Sequence, residues 1–195
     1  MTRADDSSEA TILETALEIV AHAELAEQDA AELRRLFDAE YLRDAGIWDP
    51  DLPYGYAPHD FHIMARCKGE VVGHVGWARR TIGVGGRGLV VAGVGGVLVS
   101  ERARGRGLGG ILMNLVASSM VDAGGIAFGY LGCREEVAAF YSSCGWTRIS
   151  AAERSISRGG HAIYDPPGQP LLILPIESQL ASWPEGEVDL RGRAW

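Results

Sequence analysis

Between positions 102 and 110 the chain reads Arg102-Ala-Arg104-Gly105-Arg106-Gly107-Leu108-Gly109-Gly110, three guanidinium groups interleaved with glycine. Glycines let successive backbone N–H groups converge on one point, and a helix starting there adds the positive end of its dipole, so such a turn suits a phosphate or pyrophosphate. The Gly-Lys-Ser/Thr ending of a nucleoside-triphosphate loop is missing, and the stretch does not fit a dinucleotide fingerprint within a parallel β-α-β unit. Three cysteines, Cys67, Cys133 and Cys144, form an odd set without Cys-x-x-Cys or Cys/His spacing, which argues against a disulfide framework or a zinc site, and no metal is expected. Cys133 as a nucleophile would need an activating His or charge, and nothing local in sequence supplies one. His74 reads either as a general base or as a hydrogen-bonded core residue. The segment from Asp44 to Asp60 mixes Trp48, Tyr54 and Tyr56 with Asp49, Asp51 and three prolines, a loop that could hold a sugar or amine or pack on its own aromatics.

The elements that must carry these residues follow from periodicity. Leu17 to Ala23 reads as a strand, and from about Ala26 the apolar residues Ala26, Ala30, Leu33, Leu36, Phe37 and Tyr41 share one side of a helix, with Glu40 beside that face. Phe61–Cys67 and Val71–Ile82 flank Lys68-Gly69-Glu70 as a hairpin, and Leu89–Val99 supplies a third antiparallel strand interrupted by Gly93, Gly95 and Gly96. Glycines inside a strand mark a bulge or a close approach. Leu108, Ile111, Leu112, Leu115 and Val116 make the clearest helical stripe of the chain. Ile126–Leu131 reads as a strand, Arg134–Cys144 as a helix, and Leu171–Ile176 as a last buried strand. The order predicts one mixed α/β domain over residues 11–195 around a mostly antiparallel central sheet, preceded by a disordered segment at 1–10.

The chain has 195 residues, 47% of them hydrophobic, with a net charge of −8. The charge is divided: residues 1–60 hold 15 acidic and 4 basic side chains, a net of −11, and the remainder holds 11 and 14, a net of +3. No nucleic-acid partner is expected, because binding a polyanion needs a continuous basic surface and the bulk charge repels it. A cationic partner suits the first part and an anionic one the rest. The longest apolar run, Leu89–Val99, has 11 residues and is too short to span a bilayer, so no membrane association is expected, and with no secretory signal the cytoplasm is the expected compartment.

Arg104-x-x-Gly107-x-Gly109 after Val97-Leu98-Val99 resembles the acyl-CoA motif of the GCN5-related N-acetyltransferases, over roughly residues 17–176. The resemblance implies that fold, with acetyl-CoA as cofactor. Val97, Leu98 and Val99 would contact the acyl and pantetheine part, and Arg104, Gly105, Arg106, Gly107, Leu108 and Gly109 the pyrophosphate. A narrower similarity joins His74-Val-Gly-Trp-Ala-Arg79-Arg80, Phe140-Tyr141-Ser-Ser-Cys-Gly145-Trp146, Leu174-Pro175-Ile176 and Asp189-Leu-Arg-Gly-Arg-Ala-Trp195 to the aminoglycoside 2′-N-acetyltransferases. The chain is also similar to the nodulation N-acyltransferases, through His74, Arg79-Arg80, the glycine-rich strand, and Leu174-Pro-Ile followed by Ser182-Trp183-Pro-x-Gly186.

By these resemblances Tyr141 matches the tyrosine that protonates the departing thiolate, a step that a positioned phenol can perform; a core aromatic is the alternative. The family's glutamate on the glycine-rich strand falls on Gly95, which removes the expected base and opens the pocket by a side chain. The carboxylate of Trp195 would take part of that role. Glu40, Gly95, Gly96, Cys133 and Trp195 would contact the acceptor, and Asp165 lies near an acidic contact segment. The expected activity is acetyl transfer to an amine of an aminoglycoside or related cationic amino sugar, an antibiotic-resistance function. The alternatives are a nodulation-type long-chain N-acyltransferase, for which Gly93, Gly95 and Gly96 would make room, or a non-catalytic acyl-CoA-binding module. A homodimer is left open.

Overall fold

The computed structural model describes residues 15–195, so the segment expected to be disordered at 1–10 lies outside the described residues. The chain order is β1 (Thr15–Ala21), α1 (Glu27–Ala45), β2 (Phe61–Cys67), β3 (Glu70–Val84), β4 (Arg87–Val99), α2 (Leu108–Ala123), β5 (Phe128–Gly132), α3 (Glu135–Ser143), β6 (Thr147–Ile149), β7 (Glu153–Ile156), β8 (Ala162–Asp165), β9 (Leu171–Pro175) and β10 (Val188–Arg193). One mixed sheet runs β6-β9-β5-β4-β3-β10-β7-β8, with β2 and then β1 on the first half of β3. Strand β3 is long enough to serve two partners on one edge: its residues up to Trp77 pair with β2, and Gly83 and Val84 pair with β10. The sheet therefore curls, and β7 and β8 close over the ends of β4 and β5.

Side-chain alternation divides the core. Ile63, Val75, Trp77 and Val94 meet Leu108, Leu112, Met113, Val116 and Met120 of α2 on one face. Trp77 keeps its indole nitrogen satisfied there by donating to Ser119 Oγ at 2.8 Å. On the other face Met64, Val71 and Leu98 meet Leu33, Leu36 and Phe37 of α1, capped by Trp48 stacked on Phe37 at 4.9 Å. The expected strands and helices all form, but the sequence reading has too few strands: β6, β7 and β8 before the strand at 171–176, and β10 after it, are not among them. Strands β7 and β8 are half exposed and carry no apolar stripe. In β10 the alternation was present, since Val188 and Leu190 are buried between exposed Asp189 and Arg191.

To its apolar packing on the sheet helix α1 adds a cluster of ion pairs around one side chain. Arg66 on β2 donates to Glu18 of β1 at 2.8 Å and also pairs with Asp29 and Glu32 of α1. Glu32 is buried, and without Arg66 it keeps only Gln28 at 3.2 Å and the exposed Arg35 at 3.7 Å, so removing Arg66 leaves its charge under-compensated. Arg66→Met should destabilise the protein by about 3 to 5 kcal/mol in urea unfolding, and Arg66→Lys should recover only part of this, because an ammonium cannot reach three carboxylates in the guanidinium's fork geometry.

Three histidines, His59, His62 and His74, are buried between α1 and the sheet. Burial is the largest cause that lowers each of them to about 3, with neighbouring histidines adding to it. The unfolded chain therefore binds protons that the folded chain does not, and stability falls as pH drops from about 6.5 towards about 3. The expected loss at pH 5 is about 2 kcal/mol for each ring, read as a falling urea midpoint between pH 7 and pH 5.

Candidate active site

Strand β4 pairs in parallel with β5 at Val91, Ala92 and Gly93, opposite Phe128, Gly129 and Tyr130, and the ladder stops there. Strand β4 continues to Val99 while β5 runs into the turn before α3, so the two part. The Ser100 N–H donates to Val72 O at 2.8 Å on the β3 side. Strand alternation then turns the Leu98 N–H towards β3 as well and those of Val97 and Val99 into the opening. Strand β4 also carries one extra residue here: His74 faces Leu98, Gly76 faces Gly95, and Gly96 sits between them with φ +58. That left-handed conformation is strained for any residue with a Cβ, and it makes the bulge. Of the three residues expected at the acyl and pantetheine part, Val97 and Val99 offer amides to the opening. Leu98 does not: its side chain is buried against α1.

The glycine turn follows. Gly105 and Gly107 take φ +74 and +76, and Gly107 caps α2 without any side-chain hydrogen bond. A Cβ at Gly105, Gly107 or Gly110 would meet nothing within 4 Å, so the turn is open to a ligand on that side. Leu108 is buried and anchors the helix start, and Gly109 is approached by Phe140 of α3. Arg106 forms no ion pair among the described residues, whereas Arg102 pairs with Glu70, and Arg104 donates to Glu40 at 2.7 Å and to Val99 O at 2.9 Å. Glu40, expected at the acceptor, is thus tied to the glycine turn, because the last turns of α1 cross it. Open strand amides, an uncapped helix start and guanidinium groups are the donors that a thioester carbonyl and a pyrophosphate require, and an acyl-CoA fits them.

The opening leads into a cleft of about 970 Å³. One wall is aromatic, with Phe37 and Tyr41 of α1 and Trp48, Tyr54 and Tyr56 of the following loop. The other comes from Tyr130, Cys133, Glu153, Asp165 and Leu171, and its floor from Val94, Gly96, Val97 and Trp195. Gly93 and Gly95 do not open this space, contrary to expectation. The Trp195 indole lies on Gly93, where any Cβ would overlap it, and the Trp195 main-chain carbon lies on Gly95. Arg80 holds that ring from above, 4.0 Å from its centroid, and donates to Arg193 O at 2.7 Å. Cys133 lines the cleft, but burial raises its thiol, the opposite of what a nucleophile needs. Tyr130 donates to Glu153, whose carboxyl burial pushes up.

His74 is fully buried and bonded to Gly96 O at 2.7 Å, so it is a core residue and not a base in contact with the cleft. His59, which sequence reasoning passed over, does line the cleft, is 3% exposed, and has no hydrogen-bond partner on either ring nitrogen. Its Nε2 would lie 3.1 Å from a Cβ on Gly95, the position the Trp195 main-chain group also adjoins. A histidine in an irregular loop carries no periodic signal, so nothing in the pattern could have selected it. Tyr141 packs on the α2 side of the sheet with Leu108 and Trp146 instead of on the cleft wall, and burial holds its phenol above the usual range.

Residues 10–193 match the family model of nodulation protein A (NodA). A search of curated proteins found no match. Among solved structures, Escherichia coli ElaA is 20% identical, with a TM-score of 0.58 over 82% of this chain and 99% of that one. The E. coli GNAT family N-acetyltransferase YhbS, solved in complex with CoA, is 17% identical with a TM-score of 0.59 over 91% and 89%. A GNAT family acetyltransferase from Brucella melitensis in complex with acetyl-CoA is 19% identical with a TM-score of 0.55 over 89% and 94%. These likenesses place the parted strands and the glycine turn in the fold of the GCN5-related N-acetyltransferases, and the match along nearly the whole sequence makes this chain an acyltransferase that belongs to the nodulation protein A family.

Proposed function

We propose that this chain is an N-acyltransferase that moves an acyl group from a phosphopantetheine thioester directly to an amine of an amino sugar. The observation that carries the reading is the end of the β4–β5 ladder at Gly93, which turns the amides of Val97 and Val99 into an opening that ends on a helix start without a side-chain cap. A bound acyl-CoA supplies an activated acyl carbon and a sulfur leaving group. The Val97 N–H donates to the thioester oxygen, where negative charge develops during attack. The acceptor ammonium loses its proton to solvent on entering, and His59, neutral and with both ring nitrogens unpaired, accepts a hydrogen bond from the resulting amine and orients it for attack. The Trp195 main-chain oxygen and the Glu153 and Asp165 carboxyls hold that amine in the cleft. Tyr141 stands outside the cleft wall, in one apolar cluster with Val97, Val99 and Cys133 of the parted strands; kept protonated by burial, it gives its proton to the sulfur that leaves on that side.

The family match favours a long-chain acyl group over acetyl. The aromatic wall of the cleft and its volume of about 970 Å³ are compatible with one. Transfer to the 2′-amine of an aminoglycoside is the second reading, favoured by the carboxyls of Glu153 and Asp165 on the opposite wall.

Thiol release should be measured with acetyl-CoA, a long-chain acyl-CoA and a carrier-linked acyl donor, each against amino-sugar oligosaccharides and an aminoglycoside panel. Release with a long-chain donor and the oligosaccharides is expected; release confined to acetyl-CoA and aminoglycosides would establish the second reading, and none at all would sink both. Tyr141→Phe should lower kcat by about 100-fold or more with the donor's KM unchanged, and His59→Gln should lower kcat/KM by a similar factor.

A further inference from the structure

Four side chains form a hydrogen-bonded row behind the β4 bulge. His74 Nδ1 contacts Gly96 O at 2.7 Å, His74 Nε2 contacts His62 Nδ1 at 3.0 Å, His62 Nε2 contacts His22 Nδ1 at 3.0 Å, and His22 Nε2 contacts Asp51 Oδ1 at 3.0 Å. The row starts in the fully buried interior and ends at an aspartate that is 81% exposed.

Its polarity is fixed from the buried end. A carbonyl oxygen can only accept, so His74 must carry its proton on Nδ1 and donate to Gly96. His74 is buried without a counter-charge, so it is neutral and its Nε2 is a lone pair, which makes His62 Nδ1 the next donor. The same reasoning at buried His62 makes His22 Nδ1 the third donor. All three rings are therefore protonated on Nδ1 and point one way. The Asp51 carboxylate also only accepts, so that last contact is made when His22 carries both protons, and the ion pair then polarises the whole row towards Gly96.

The peptide that receives this row is the one that faces the cleft. In a trans peptide the C=O of one residue and the N–H of the next point in opposite directions. With Gly96 O held on the β3 side by His74, the Val97 N–H is held on the other side, where β5 has already parted from β4. Because Gly96 is in the left-handed region, this peptide has no complete ladder to fix its plane, and the histidine bond substitutes for the missing strand partner.

We propose that the Asp51–His22–His62–His74 row is a positioning device that sets the plane of the Gly96–Val97 peptide and so aims the Val97 N–H at the thioester oxygen. The thioester part of this statement rests on the acyl-transfer reading given above; the aiming of the amide does not. His74 acts through the peptide and does not touch substrate.

The test is made on the full-length protein labelled with 15N. Long-range proton–nitrogen correlations on free protein should show protonated Nδ1 and bare Nε2 on His62 and His74, and a protonated Nδ1 on His22. A bare Nδ1 on His74 would overturn the proposal whatever the enzyme does. Two variants read the coupling: His74→Asn keeps an N–H donor near the Nδ1 position but ends the row, and His74→Leu removes the donor. The Val97 amide resonance should move in His74→Leu and stay near its native position in His74→Asn; an unmoved resonance in His74→Leu, in a protein whose remaining spectrum is native, would also overturn it. In turnover, His74→Leu should lower kcat by about 100-fold with KM for the donor little changed, the loss expected for one misaimed oxyanion donor, and His74→Asn should restore most of it. Equal kcat in wild type and His74→Leu counts against the proposal. Inactive wild-type protein with the expected Nδ1 protons and Val97 shifts would refute the acyl-transfer reading and leave the aiming of the amide standing.

Discussion

Everything in the candidate site depends on β4 keeping β3 as a neighbour along its length while losing β5 after Gly93. A sheet that stayed closed would use the N–H groups of Val97 and Val99 as ladder donors and leave no room beside them. The parting removes the strand partner from one edge only, so the amides remain in place, backed by β3, and face the opening. An extra residue at Gly96 accompanies the parting, because the strand must turn its edge outward without breaking its pairing to β3. The aromatic wall from α1 and the curled β7–β8 hairpin then enclose the exposed edge.

Much of this was readable as residue types. The arginine–glycine turn, the striped helix after it and the three glycines in the strand before it are local patterns, and each forms where the pattern puts it. The use made of those glycines was not readable. Gly93 and Gly95 look like space for a substrate, but residues a hundred positions later fill it: the Trp195 ring and main chain lie on them, held by Arg80. Glu40 looked like a ligand for the acceptor and instead meets Arg104, 64 residues away. His22, His59, His62 and His74 stand on four separate segments, and only the fold brings the rings together. Long-range pairings of this kind leave no periodic trace, and neither do the half-exposed strands β7 and β8, whereas the short alternation of Val188 and Leu190 in β10 was legible and was passed over.

The charge division of the sequence also acquires a different meaning once the pairings are known. The first 60 residues carry 15 acidic side chains, which suggests a surface offered to a cation. Several of these face inward to the protein's own arginines: Glu18, Asp29 and Glu32 converge on Arg66, and Glu40 meets Arg104. The acidity of that part is thus spent in part on joining α1 to the sheet and to the glycine turn. The carboxyls that do line the cleft, Glu153 and Asp165, come from the half whose net charge is positive. The local field of the cleft is therefore set by these two carboxyls and by Arg134 and Arg158, which line it too, and not by the bulk field of the acidic half, since charges in a partly enclosed cleft are screened far less than charges spread over a wet surface.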